Sequence, residues 1–406
     1  MMLCYETRTP TLPFDILEAV VAHHRDDKHT LGALALVSSD ILVPSRKHLF
    51  ADVEIRGAKQ CDRLQGVLAA SPNVAGYIRA LRIAADTHGG DALIESPALP
   101  LVLRAMTPNL RVFSLSGRGV VSCESMPQAL AAALVKLLVI GNVTEVSLGF
   151  LARIPIRLMP LGPAVNKLRI IDVDPQGYPR PPTPGQTVLP GAPQLRHLEL
   201  HTRDDAAFIA LLRYLLEAAD LTTLRRMDVI CPRWTDEAQD TLHQVFTTAA
   251  PSLAQLSLMP PFEVYILPFS AEARAISLRS LRSLWGLKVG LIDMPLLPHH
   301  GVDWLQHVLD TIPEDNALTT IAVHVHWRPF DPARAPEYFA LLDAAIAAPH
   351  LRRLREVIIV GDDRTLGGDA VPIGKKVQYG WPRLRERGIT PSVGFLDHGR
   401  KLGQSE

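Results

Sequence analysis

Residues 193–200 read Pro-Gln-Leu-Arg-His-Leu-Glu-Leu, and the spacing of the three leucines decides the fold. Leu195, Leu198 and Leu200 fill an apolar-x-x-apolar-x-apolar phrase. The same phrase recurs as Ile78-Leu81-Ile83, Leu110-Phe113-Leu115, Val143-Val146-Leu148 and Val165-Leu168-Ile170. It continues as Leu224-Met227-Val229, Leu253-Leu256-Leu258, Leu284-Leu287-Val289, Leu318-Ile321-Val323 and Leu354-Val357-Ile359. The last residues of the ten phrases lie at 83, 115, 148, 170, 200, 229, 258, 289, 323 and 359, in steps of 32, 33, 22, 30, 29, 29, 31, 34 and 36. A period near 30 with one short strand per unit is the mark of a leucine-rich solenoid.

The segments between phrases predict helices. Phe208, Leu211, Leu212, Leu215, Leu216 and Ala219 fall on one helical face, as do Ala238, Leu242, Val245, Phe246 and Ala249, and Trp304, Leu305, Val308, Leu309 and Ile312. Proline ends the preceding helix in the lead-ins Pro108, Pro193 and Pro251. A single strand and helix cannot bury their apolar faces, but stacked units share one core. The Asn or Cys that usually follows the phrase is missing from every unit, so irregular turns are expected. A closed (β/α) barrel also uses such units, but ten phrases exceed its eight strands, and Leu-based phrases with polar intervals are unlike the Val/Ile runs of a barrel interior. Strand alternation places Arg82, Ser114, Arg169, Glu199, His201, Asp228, Ser257, Lys288, His324 and His326 on the outward, concave side. Of these, Arg82, Arg169, Glu199, His201, Asp228, Lys288, His324 and His326 are the candidate target-binding residues. Residues 174–193, rich in Pro and Gly, are expected to form an exposed loop without helix or ladder. Trp381, Leu384 and Ile389 are expected to pack back and cap the end of the repeats.

Residues 12–55 read LPFDILEAVVAHHRDDKHTLGALALVSSDILVPSRKHLFADVEI. Pro13 and Asp15 suit the first turn of a helix. Phe14, Ile16, Leu17, Val20 and Val21 give that helix a wide apolar face. Thr30 is placed to cap a second helix carrying Leu31, Leu34, Val37 and Ile41, and Val43-Pro44-Ser45 is expected to turn the chain before a short last element, Arg46 to Phe50. The helices carry more apolar side chains than so small a unit can bury, which calls for a partner surface. On Leu12-Pro13, Ile16-Leu17, Val20, Leu31, Leu34, Leu36-Val37, Ser38 and Leu49-Phe50 the segment resembles an F-box, of the type fungi carry in large numbers. The resemblance implies docking of a Skp-type adaptor of a cullin–RING ubiquitin ligase through Leu12, Pro13, Ile16, Leu17, Val20, Leu36, Val37 and Leu49. It also implies a target protein held by the repeats, with ubiquitin transfer left to other subunits.

The fold class expected is therefore an α/β solenoid: a helical F-box at 11–55, an irregular leucine-rich-repeat horseshoe of parallel strands with one helix per repeat at 74–361, and a C-terminal cap or tail at 362–406. A leucine-rich scaffold unrelated to ubiquitin is the alternative.

Composition narrows the partners. The 406 residues carry 42 Lys and Arg against 42 Asp and Glu, so no global field recruits nucleic acid or an anionic membrane. Glu6, Arg8, Pro10, Pro13 and Asp15 leave no signal-peptide pattern in the first twenty residues, and the longest apolar run, Ala129–Ile140, is interrupted by Lys136. The cysteines, Cys4, Cys61, Cys123 and Cys231, show no paired spacing, which fits a reducing compartment, cytoplasmic and/or nuclear. Catalytic chemistry is not expected. Gly368–Lys376 has the wrong spacing for a phosphate loop and lacks the Ser or Thr after its lysine. His324 and His326 share a strand face but have no third metal ligand, and His299-His300 is read the same way. Arg180–Pro184 could be a ligand for a proline-binding module. No cofactor is implied.

Overall fold

The computed structural model describes residues 12–85, 90–106, 109–123, 126–155, 161–176, 191–231, 235–259, 276–293, 299–327, 335–362 and 381–396. The chain divides into two compact units, 1–146 and 147–406. The architecture is α/β, with parallel strands and intervening helices.

The first unit opens with three helices, α1 (Phe14–His23), α2 (Lys28–Leu34) and α3 (Ser39–Leu49). They are followed by β1 (Asp52–Ile55), α4 (Ala58–Ala70), β2 (Ala80–Ala85), α5 (Gly90–Ile94), α6 (Ala98–Ala105), β3 (Val112–Ser122) and α7 (Gln128–Ile140). Both α1 and α2 pack on α3. The caps differ from those expected. Asp27, not Thr30, caps α2, its carboxylate accepting from the backbone N–H groups of His29 and Thr30 and from the Thr30 hydroxyl. Ser38 caps α3 by accepting from Ile41 N. With that cap in place the helix runs through Val43-Pro44-Ser45, where a turn was expected. Pro44 costs the helix one N–H, but its ring is buried. The strand β1 is the edge of a parallel ladder: Ile55 pairs with Ile83 of β2, and Ile83 with Leu115 of β3.

The second unit carries β4 (Glu145–Ala152, starting at the boundary), β5 (Ile154–Pro155), β6 (Lys167–Ile171), β7 (Pro175–Gln176), β8 (His197–His201), α8 (Asp205–Ala218), β9 (Arg226–Ile230), α9 (Asp236–Ala249) and β10 (Gln255–Met259). Then come β11 (Gly286–Asp293), α10 (His299–Asp310), β12 (Thr320–Trp327), α11 (Ala335–Ile346), β13 (Glu356–Asp362), a short helix Pro382–Glu386 and β14 (Ser392–Leu396). Every pairing from β6 to β14 is parallel, in the order β6-β8-β9-β10-β11-β12-β13-β14. Among the described residues the order does not close, since β14 ends it, so they lend the barrel alternative no support.

The second and third residues of all ten sequence phrases fall on strands, the first lying just ahead of each, and register aligns the last residues. Ile170, Leu200, Val229, Leu258, Val289, Val323 and Ile359 form one continuous rung, each no more than 1% exposed. Burying each such side chain contributes about 1.5–3 kcal/mol before the entropy of ordering it. Helices α8 and α9 present the predicted faces, with Phe208, Leu211, Leu212, Leu242, Val245 and Phe246 fully buried. In α10, Leu305, Val308 and Leu309 are buried likewise.

The short 22-residue step from Leu148 to Ile170 has no described helix. Instead Phe150, Arg153 and Asp172 take left-handed φ of 56°, 55° and 49°. Pro175–Gln176 pairs in parallel with Ile154–Pro155, which corrects the expectation that 174–193 makes no ladder. Residues 177–190, including Arg180–Pro184, lie outside the described residues, as does Gly368–Lys376.

Candidate functional site

Two surfaces stand out, one in each unit. In the first unit Val21 and Leu31 are fully buried and hold α1 and α2 to α3. The remaining apolar residues of this segment turn outward. Leu12 is 61% exposed, Ile16 48%, Val20 45%, Leu36 88% and Val37 67%. Phe14 and Val43 are exposed as well, so seven of the twelve exposed large apolar residues among those described fall between positions 12 and 43. Such clustering marks an interaction surface, whereas scattered apolar residues do not. Pro13 is exposed, and its carbonyl accepts from Ile16 N and Leu17 N. Leu17 and Leu49 are half-buried. The trio is tied to the sheet of its unit by Lys28, whose ammonium donates to Asp52 O at 3.0 Å.

In the second unit the outward face of the sheet carries a polar row. Register places Arg169, Glu199, Asp228, Ser257, Lys288 and Ala322 side by side on successive strands. Arg169 Nε lies 2.9 Å from Glu199 Oε2, and Arg226 Nε donates to Asp228 Oδ2 at 2.9 Å. Sequence reasoning missed Arg226, Trp285 and the Arg203–Asp172 pair at 2.9 Å. Trp285 was findable, because an aromatic residue interrupts the otherwise polar intervals of the phrase. Exposed pairs of this kind contribute about 0–1 kcal/mol each. The row therefore adds little to stability.

The predicted residues are not all brought together. Arg82 sits in the first unit, on β2, paired with Asp52 at 2.8 Å. His201 and His324 share the next row but stand four strands apart, about 19 Å at ordinary strand spacing. His326 pairs through its backbone with Ile292, and its side chain lies outside the described set, as do those of His299 and His300. Among the described residues no group of three or more His, Cys, Asp or Glu is placed to hold a metal ion. No helix of the described residues is long and apolar enough to cross a membrane. Burial pushes the Cys61 thiol up to about 11, so it is a poor nucleophile at neutral pH.

Burial holds the pKa of His201 below its ordinary value of 6.5, outweighing the pull of Glu199, whose Oε1 lies 3.5 Å from Nε2. The contact is therefore between neutral imidazole and carboxylate at neutral pH. As pH falls through 6.5 the unfolded chain takes up this proton before the folded chain does. Stability is then lost from pH 6.5 down to the folded pKa. His201→Gln should flatten this part of the acid limb, measured as urea midpoints between pH 7.5 and 5. Equal slopes in the two proteins would rule the assignment out.

Set against known proteins, the chain matches no family model and no curated protein.

Proposed function

We propose that this protein is a substrate-recognition adaptor of an SCF-type cullin–RING ubiquitin ligase, working in the cytoplasm and/or nucleus. The helical trio docks a Skp-type adaptor as an F-box does, and the outward face of a leucine-rich-repeat sheet binds a target protein. No catalytic residue or cofactor is needed, because transfer of ubiquitin belongs to other subunits. The observation that carries this reading is the exposure of Leu12, Ile16, Val20, Leu36 and Val37 on a helical segment that is otherwise anchored and capped. These are the positions on which the F-box resemblance rests. A scaffold unrelated to ubiquitin would use the trio only as a cap on the repeats, with Leu12 to Val20 turned inward.

Co-expression with a Skp-type adaptor followed by gel filtration tests the proposal. A stable 1:1 complex is expected, and a chain that elutes alone would refute it. Point variants are the right control. Removing residues 1–55 would also delete β1, the partner of β2, and damage the sheet itself.

A further inference from the structure

The stretch of the outward face between Arg226 and Ala322 is built differently from its neighbours. Ser257, Gly286 and Ala322 are small, and they floor a groove of about 170 Å³. Trp285, 43% exposed, forms one side. Arg226, Asp228 and Lys288 supply its charges. The charges along the row are unequally matched. Glu199 is taken by Arg169, and Asp228 by Arg226. Lys288 is half-buried, and no hydrogen bond or ion pair to its ammonium exists among the described residues. Burial lowers its pKa, against the opposing pull of Asp228 and Glu199. A partly desolvated cation without a partner is a standing cost that an incoming anion relieves.

We propose that this groove seats an anionic side chain from an extended segment of the target protein. The anion pairs with Lys288, and the adjoining apolar part of the segment lies against Trp285. Small floor residues leave room for that segment, and the groove's own charged side chains, Arg226, Asp228 and Lys288, sum to one net positive charge. The inference rests on the reading of this face as the target-binding surface and names the chemistry it selects. A carboxylate and a phosphorylated hydroxyl share that chemistry.

The test uses the full chain and three fluorescein-labelled octapeptides: octaglutamate, octaglutamine, and a Ser-Gly peptide carrying one phosphoserine. Fluorescence anisotropy reads binding at low salt, where screening is weak. At least one anionic peptide should bind while octaglutamine does not. Binding of octaglutamate alone assigns the carboxylate, and binding of the phosphopeptide alone assigns the phosphate. Lys288→Gln, with an unchanged urea midpoint, should weaken the interaction about tenfold. Equal binding of octaglutamine, no binding of either anion, or indifference to Lys288→Gln would each overturn the proposal. Adaptor co-purification is scored separately. A chain that holds the adaptor but neither anionic peptide removes the groove alone. One that binds octaglutamate through Lys288 but no adaptor removes the ubiquitin reading alone.

Discussion

Replacing Leu12 and Ile16 together by Asp is expected to abolish co-purification with a Skp-type adaptor while leaving urea unfolding of the chain unchanged. Both halves of that expectation follow from exposure. Leu12 and Ile16 are 61% and 48% exposed, so a charge at either position stays in water and costs the free chain little. Buried against a partner, the same charge has no counter-ion and must be desolvated. Truncating an apolar anchor at the centre of an interface typically costs about 2 kcal/mol or more, so losing two should weaken binding about a thousandfold. Val21→Asp makes the contrast. That residue is fully buried between the helices, and its replacement should unfold the trio itself. An L12D/I16D chain that still holds the adaptor would show that docking uses another face. One that unfolds early would show that these side chains belong to the core.

The parallel ladder was open to reading because period and phrase length are coarse signals that survive irregular turns. The missing Asn after each phrase did not spoil the register, and backbone bonding explains why. One carbonyl ahead of each strand accepts two N–H groups from the next repeat. Arg196 O takes Arg225 and Arg226, Arg225 O takes Ala254 and Gln255, and Trp285 O takes Thr319 and Thr320. Such a link needs no particular side chain, so the sequence can vary there. The local errors came from competing signals. Thr30 and Asp27 are both good caps, and only the fold shows that Asp27 reaches the free N–H groups. Pro44 reads as a breaker, yet it is tolerated inside α3. Strand β1, Asp52–Ile55, was legible as a short strand closing the helical segment, although it lacks the long phrase of its neighbours. Alternation separated Arg82, Arg169, Glu199, His201, Asp228, Lys288 and His324, exposed or half-buried, from the buried phrase residues, whereas Ser257 is buried. It could not say which charges neutralise each other, because pairing depends on register between strands rather than on spacing within one.

A second large effect is expected at Asp343, which nothing in the repeat pattern singles out. Trp381, Leu384 and Ile389 do pack back onto the end of the second unit, at 1%, 0% and 4% exposure. The Trp381 ring lies 5.6 Å from that of Phe339. The short helix Pro382–Glu386 has no side-chain cap of its own. Asp343 supplies one from α11: Oδ2 accepts from Arg383 N at 2.9 Å and Oδ1 from Leu384 N at 3.0 Å. The carboxylate is 1% exposed, so water cannot replace it. Asp343→Ala removes two charge-assisted bonds and strands two N–H groups, at a cost of about 3 kcal/mol. Asp343→Asn keeps one acceptor oxygen and should lose about half as much. A chain of two units need not unfold in one step, so amide exchange at Arg383 and Leu384 is the direct readout. Both amides should exchange faster in the Ala variant. If instead Ala and Asn both stay within about 0.5 kcal/mol of the parent, with protection intact, the carboxylate is not what holds the helix. Loss of the cap also loosens β14, which pairs with β13 from Ile358 to Asp362. An uncovered β13 edge offers unpaired backbone to other chains, so the Ala variant should also aggregate more readily than the parent.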